Sequence, residues 1–297
     1  MTFSLCVGEL TDLSTASAKS FASRTADGHD LYVYPREQAD SASFETLRQA
    51  GVRICDAGAF YARPVRYEHP RWGGYAPFAD VFRYTAMRRL GTPWVDLDSL
   101  LLDPGNIPLG PFVASEHVRY QFPARTKGLF DAAGNIFYAG QPIKEWFKAA
   151  REPSLITNSH FFLPDGPMLR ELCRRFPLSK IPSLKSGNYG MTLLGEEVRR
   201  AGATELLAHP DVFNPIQAKA SERFQAVLRC EAPLPESTAV LHIFRIARER
   251  MDPSLLGAAS LGGFLAQTSG SKEIWTPSSQ LSPSSEFLSP AGMLSCR

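Results

Sequence analysis

The chain has 297 residues, 44% of them hydrophobic and 21% charged, which is the composition of a folded globular chain and not of a disordered one. Its formal net charge of +2 lacks the basic excess of a protein that wraps nucleic acid, so no nucleic-acid partner is expected. No run of 18 apolar residues is present to span a bilayer. The five cysteines (6, 55, 173, 230 and 296) are odd in number, scattered and without a CxxC pair, which argues against a zinc ribbon or a disulfide framework. Cys6 and Cys55 each sit in a short apolar run and read as buried thiols. No positive segment precedes a long apolar one at the start, so no signal peptide is expected, and the reading is a cytoplasmic protein, at most peripheral at a membrane.

Taken in chain order, residues 3–7 read as a strand, 11–22 as a helix, 31–34 as a strand, 43–50 as a short helix stopped by Gly51, and 52–55 as a third strand. That alternation predicts an α/β fold with a mainly parallel central sheet and flanking helices. Residues 56–75 form a long irregular stretch dense in aromatics: Phe60, Tyr61, Tyr67, Trp72 and Tyr75. Residues 76–90 are the clearest helix, with Asp80, Arg83 and Tyr84 on one face and Gly91 as its stop. A strand is expected over 93–97, followed by an apolar run at 99–102. Further strands are read at 111–115, 135–139, 205–208 and 239–244, and further helices at 142–150, 167–175 and 191–201. From residue 267 the chain is rich in Ser and Pro, which divides it into a body over 1–266 and a flexible tail over 267–297.

The chemistry-bearing feature is Asp96-Leu97-Asp98 at the end of an apolar strand. Residues i and i+2 of a strand point to the same side, so two carboxylates at a strand mouth can converge on one cation. Oxygen donors suit Mg²⁺ or Mn²⁺, with Asp98 expected to touch the ion directly. Asp96 would touch it directly or through a ribose or a water. His242, inside the strand-like AVLHIF, is either a core histidine or a third ligand or diphosphate contact, and His160, after Asn158-Ser159 and before Phe161-Phe162, is a packing residue or lines the acceptor site. Two other stretches are candidates to line a cleft: Ser115-Glu116-His117, and Lys185 to Gly190. No Walker A loop, GxGxxG, GxSxG or HExxH is present.

The order of these features resembles glycosyltransferase family 32, the DXD-containing sugar transferases that include capsular polysaccharide synthesis and α-1,4-galactosyltransferase types. The resemblance is carried by Ala79-Asp80-Val81-Phe82-Arg83-Tyr84, by Leu90-Gly91-Thr92-Pro93-Trp94 and by Val95-Asp96-Leu97-Asp98. Gly8-Glu9-Leu10, Ser20-Phe21 and Gly28-His29 support it nearer the start. Ala79 stands where serine is usual, and Thr92-Pro93 replaces the family's second glycine. The resemblance implies a single GT-A-type nucleotide-sugar-binding domain and retaining transfer of a sugar from a nucleoside diphosphate donor, a UDP-sugar above others. Mn²⁺ or Mg²⁺ would bridge the diphosphate and the motif. The acceptor hydroxyl would belong to a glycan, a lipid, a protein or a small molecule. It places Asp80, Arg83 and Asp98 in catalysis, Asp80, Arg83, Tyr84, Asp96 and Asn158 at the donor, and Asp96, Asp98 and His242 at the metal. Two other readings stand beside it: a Mg²⁺-dependent nucleotidyl or phosphoryl transferase, and a non-catalytic carbohydrate- or nucleotide-binding protein of the same fold.

Overall fold

The computed structural model of the chain describes residues 1–69, 73–117, 129–130, 136–138, 141–142, 154–184, 189–217 and 220–268. The strands are β1 (Thr2–Val7), β2 (His29–Tyr34), β3 (Val52–Asp56), β4 (Trp94–Val95), β5 (Ser99–Leu101) and β6 (Phe112–His117). Then come the short β7 (Leu129–Phe130), β8 (Ile136–Tyr138) and β9 (Gln141–Pro142), and finally β10 (Ser154–Phe162) and β11 (Val240–His242). The helices are α1 (Asp12–Arg24), α2 (Ala42–Gln49), α3 (Ala76–Leu90), α4 (Pro167–Arg175) and α5 (Tyr189–Arg200). The last four are α6 (Pro210–Phe213), α7 (Ser221–Leu228), α8 (Arg245–Arg248) and α9 (Ala258–Thr268).

Six strands form one sheet in the order β3-β2-β1-β4-β10-β6. β1, β2, β3 and β4 run parallel, and β10 runs antiparallel between β4 and β6. This is the expected α/β layout with a largely parallel, mixed sheet. Every residue of β2 is buried, as a strand covered by helices on both faces must be. β1 splits its side chains between the two faces: Phe3 enters the main core with Tyr32, Phe60 and Phe82, while Cys6 enters a smaller one with Leu31, Val33 and Phe44. Gly91 ends α3 at φ +63°, its N–H donating to the Met87 carbonyl at 2.8 Å.

Several elements differ from expectation. The strand read at 93–97 pairs only at Trp94–Val95. Beyond it Asp96 N–H donates to the Ser159 carbonyl at 3.0 Å, and the chain then leaves this sheet toward β5. β10 was not expected, because Asn158-Ser159 interrupts its apolar run; the register shift between Ile156 and Phe161 accommodates that interruption. The strand expected at 205–208 is a 3₁₀ turn over Thr204–Leu206 with one bridge from Leu207 to Val113, since Pro210 starts α6 immediately afterwards. Helices α7 and α9 were also unforeseen. The helix expected at 142–150 lies outside the described residues, apart from Pro142 in β9. So does the tail from 269 on, and α9 runs through Gln267 and Thr268.

Of the aromatics in the 56–75 stretch, Phe60 and Tyr67 are buried in the main core. Trp72 lies outside the described residues. Cys6 is a buried free thiol, as expected; Cys55 is equally buried but disulfide-bonded, which corrects the reading of a thiol there. No helix among the described residues is long and apolar enough to cross a membrane.

Candidate metal centre

β5 is what brings distant residues to the aspartates. It pairs antiparallel with β11, setting His242 opposite Ser99, and Ile243 N–H donates to the Asp98 carbonyl at 2.8 Å. The apolar side chains of this pair, Leu100 and Leu241, are fully buried in a second core with Leu13, Phe224, Leu261 and Phe264. His242 is thereby held at the motif. One ligand atom from each of Asp96, Asp98 and His242 lies within 4.8 Å of the other two.

The electrostatics of the cluster are uneven. Asp98 accepts from His242 Nε2 at 3.2 Å and from Arg248 Nη2 at 3.1 Å. Burial pushes its carboxyl up, but His242 and Arg248 outweigh burial and hold it at about 2. Asp96 accepts from Trp94 Nε1 at 2.8 Å and lies 3.4 Å from Arg83 Nη1. Burial dominates there and raises its carboxyl above the usual range, against the pull of Arg83. Burial lowers the His242 imidazole, and the charge of Asp98 more than reverses that, leaving it raised. The two aspartates are still about a quarter exposed, at 24% and 23% of their side chains, so solvent reaches them.

The tautomer of His242 follows from its neighbours. Asn214 Nδ2 donates to the Ser115 carbonyl at 2.8 Å, which turns its Oδ1 toward His242 Nδ1 at 3.0 Å. Nδ1 must therefore carry a hydrogen, and Nε2, which donates to Asp98 while the ring is protonated, is the nitrogen whose lone pair faces the carboxylates once that proton leaves. An outer partner that fixes one ring nitrogen while the other faces the cation is the usual setting of a metal-binding histidine. Ligands of a hard divalent ion bind at about 2.1 Å and so stand about 3–4 Å apart, which this cluster meets with small side-chain closure. The residues fit a divalent cation.

Behind Asp96 stands a buried layer on α3. Arg83 bonds Asp80 at 3.3 Å, donates to the carbonyls of Ala79 and Asn158, and stacks over Trp94 at 4.4 Å. Asp80 accepts from Asn158 Nδ2 at 2.7 Å and from the Gly190 backbone, and burial raises its carboxyl to about 6. Gly190 passes so close that a Cβ there would lie 2.2 Å from Asp80 Oδ2. Tyr84 is fully buried, and its hydroxyl donates to the Gly190 carbonyl at 2.8 Å.

The seven residues that the resemblance assigns to the site fall in one region: Asp96, Asp98 and His242 in the cluster, with Asp80, Arg83, Tyr84 and Asn158 packed behind it. Arg248 and Asn214 were missed. Nothing in RIARER or FNPIQ marks either residue, since each acts only through a partner far away in sequence. His160 is fully buried, stacked on Phe213 and edge-on to His242 at 5.6 Å between ring centroids. Glu116 stands next to the last residue of β6, at the same mouth of the sheet, and burial raises its carboxyl despite His242 nearby. Lys185 to Asn188 lie outside the described residues.

β1 is linked through α1 to β2 on one side and lies beside β4 on the other, so the strand order reverses there, where open α/β sheets bind ligands at the carboxyl ends of strands. A cavity of about 470 Å³ opens at those ends, lined by Val7 and Gly8 of the β1 exit, Tyr34, Arg36, Asp56 and Tyr75.

No protein-family model matches the chain, and no curated protein matches it. Among solved structures it is similar to a chain titled "PaToxG Glycosyltransferase", with a TM-score of 0.40 and 12% identity over 88% of this chain and 86% of that one. A TM-score below 0.5 does not establish a common fold.

Proposed function

We propose that the chain is a metal-assisted glycosyltransferase that takes a sugar from a nucleoside diphosphate donor to an acceptor hydroxyl with retention of configuration. The observation that carries this reading is the convergence of Asp96, Asp98 and His242 at the carboxyl mouth of the sheet. A divalent cation held there would stabilise the charge that builds on a leaving diphosphate. The nitrogen donor favours Mn²⁺ over Mg²⁺, which prefers an all-oxygen shell. Asn214 keeps His242 in the tautomer that presents Nε2, and Arg83 holds Asp96 in place from behind. In this reading the cavity at the ends of β1, β2 and β3 takes the nucleoside, and Arg36 along its wall adds positive charge toward the phosphates. Asp80 and Asn158 support the donor side by fixing Arg83, and Tyr84 does so by tying Gly190 against Asp80.

The test is a donor panel. The protein is incubated with UDP-, GDP-, CMP- and dTDP-sugars and, separately, with nucleoside triphosphates, with Mn²⁺, with Mg²⁺ or with EDTA, and release of nucleotide and of pyrophosphate is measured, since water often substitutes for an acceptor. Release of a nucleoside diphosphate from one donor class, dependent on the cation and favouring Mn²⁺, is the expected result. Release of pyrophosphate from nucleoside triphosphates, with no donor-sugar turnover, would point to nucleotidyl transfer instead.

A further inference from the structure

Two arginines neutralise the aspartate pair, and they are built differently. Arg83 is 7% exposed, ion-paired to Asp80 and Asp96, bonded to two carbonyls and stacked on Trp94. It cannot leave without stranding buried carboxylates. Arg248 is 29% exposed and reaches the cluster through a single bond, Nη2 to Asp98 Oδ2 at 3.1 Å. Its Nε is buried without a hydrogen-bond partner. It sits at the end of α8, a helix of only four residues, and lines a cavity of about 570 Å³ together with Thr11, Asp12, Glu249 and Leu256.

We propose that Arg248 is a displaceable internal cation that occupies Asp98 until a divalent ion arrives and then swings into the cavity it lines. Both are cations competing for the charge of one carboxylate, whose Oδ1 faces His242 Nε2 and whose Oδ2 holds Arg248. The cavity offers a place for the side chain to go, and the carboxylates of Asp12 and Glu249 on its wall offer replacement partners. Its orphaned Nε gives it little to lose on leaving. Arg83, by contrast, remains as the fixed counter-charge. This inference rests on the metal reading of the cluster and assigns its metal-free state.

The experiment is titration of Mn²⁺ alone into the full chain, read by the electron paramagnetic resonance signal of free Mn²⁺, for the parent protein, Arg248→Met, Arg248→Lys and Asp98→Asn. Removing the competing charge should tighten Mn²⁺ binding in R248M by about 3- to 5-fold, the scale of one partly exposed ion pair that no longer has to be broken. R248K keeps the charge and should bind close to the parent. Equal or weaker binding in R248M, with binding still lost in D98N, would overturn the displaceable role while leaving the metal reading standing. Failure of the parent and R248M alike to bind Mn²⁺ would overturn both. If R248M does not fold, Arg248→Gln serves in the same comparison with the same two outcomes.

Discussion

Asp80 shows how burial sets chemistry at a single residue. Its carboxyl is 5% exposed and holds its proton to about pH 6, against an ordinary value of 3.8, because burial outweighs the attraction of Arg83. The folded state therefore binds this proton more tightly than the unfolded chain does. Between about pH 4 and 6 the unfolded chain has lost the proton and the folded one has kept it, so this group's contribution to stability falls as pH rises through that window. Asp80→Asn has no such proton. The stability of the parent relative to D80N should drop by roughly 2–3 kcal/mol from pH 4 to pH 7. Urea unfolding at a series of pH values measures this, and a difference that is flat or rises with pH would show that Asp80 is not raised.

The close approach of α5 to α3 is an element-scale feature with a definite sign. Alanine for glycine inside a helix ordinarily stabilises by about 1 kcal/mol. Here the new Cβ of Gly190→Ala would lie 2.2 Å from an Asp80 oxygen that is itself buried and bonded. G190A should instead destabilise by about 1–3 kcal/mol, seen as a lower urea midpoint at unchanged slope. A stabilised G190A protein would mean that the two helices can part without cost. The elements also show what the sequence makes legible. The β1–α1–β2–α2–β3 run and α3 could be read because each has a regular period and its own stop, as at Gly51 and Gly91. The Asp96/Asp98 pair could be read because two adjacent carboxylates at the end of an apolar run are costly without a purpose. β10 could not, because its pairing with β4 and β6 supplies the stability that its own Asn158-Ser159 run denies it. Nor could Arg248, which meets Asp98, or Asn214, which meets His242: each contact is a tertiary event with no local pattern.

At the scale of the molecule, the main core builds the sheet and the second core builds the site. The second core runs from Leu13 of α1 through Leu100 and Leu241 to Phe264 of α9, so it fastens the end of the described chain beneath β5 and β11. Phe264 is 3% exposed there. Phe264→Ala should cost about 3–5 kcal/mol by leaving a cavity. Because the same core seats His242 and Arg248, the mutant should also bind Mn²⁺ more weakly under conditions where it is still folded. Thermal unfolding and Mn²⁺ titration check the two effects. A large stability loss with unchanged Mn²⁺ affinity would show that the site does not depend on this core.

The most direct measurement is the stoichiometry of Mn²⁺ binding by isothermal titration calorimetry in the parent protein and in Asp98→Asn. Asp98 is the residue that both His242 and Arg248 address, its side chain is 23% exposed, and an amide keeps its size, so the substitution should leave the chain able to fold. The expected result is one Mn²⁺ bound per parent chain and none, or at least 100-fold weaker binding, in D98N under conditions where it is folded. Equal Mn²⁺ binding by the two proteins, or none by the parent, would contradict a metal centre built on Asp96, Asp98 and His242.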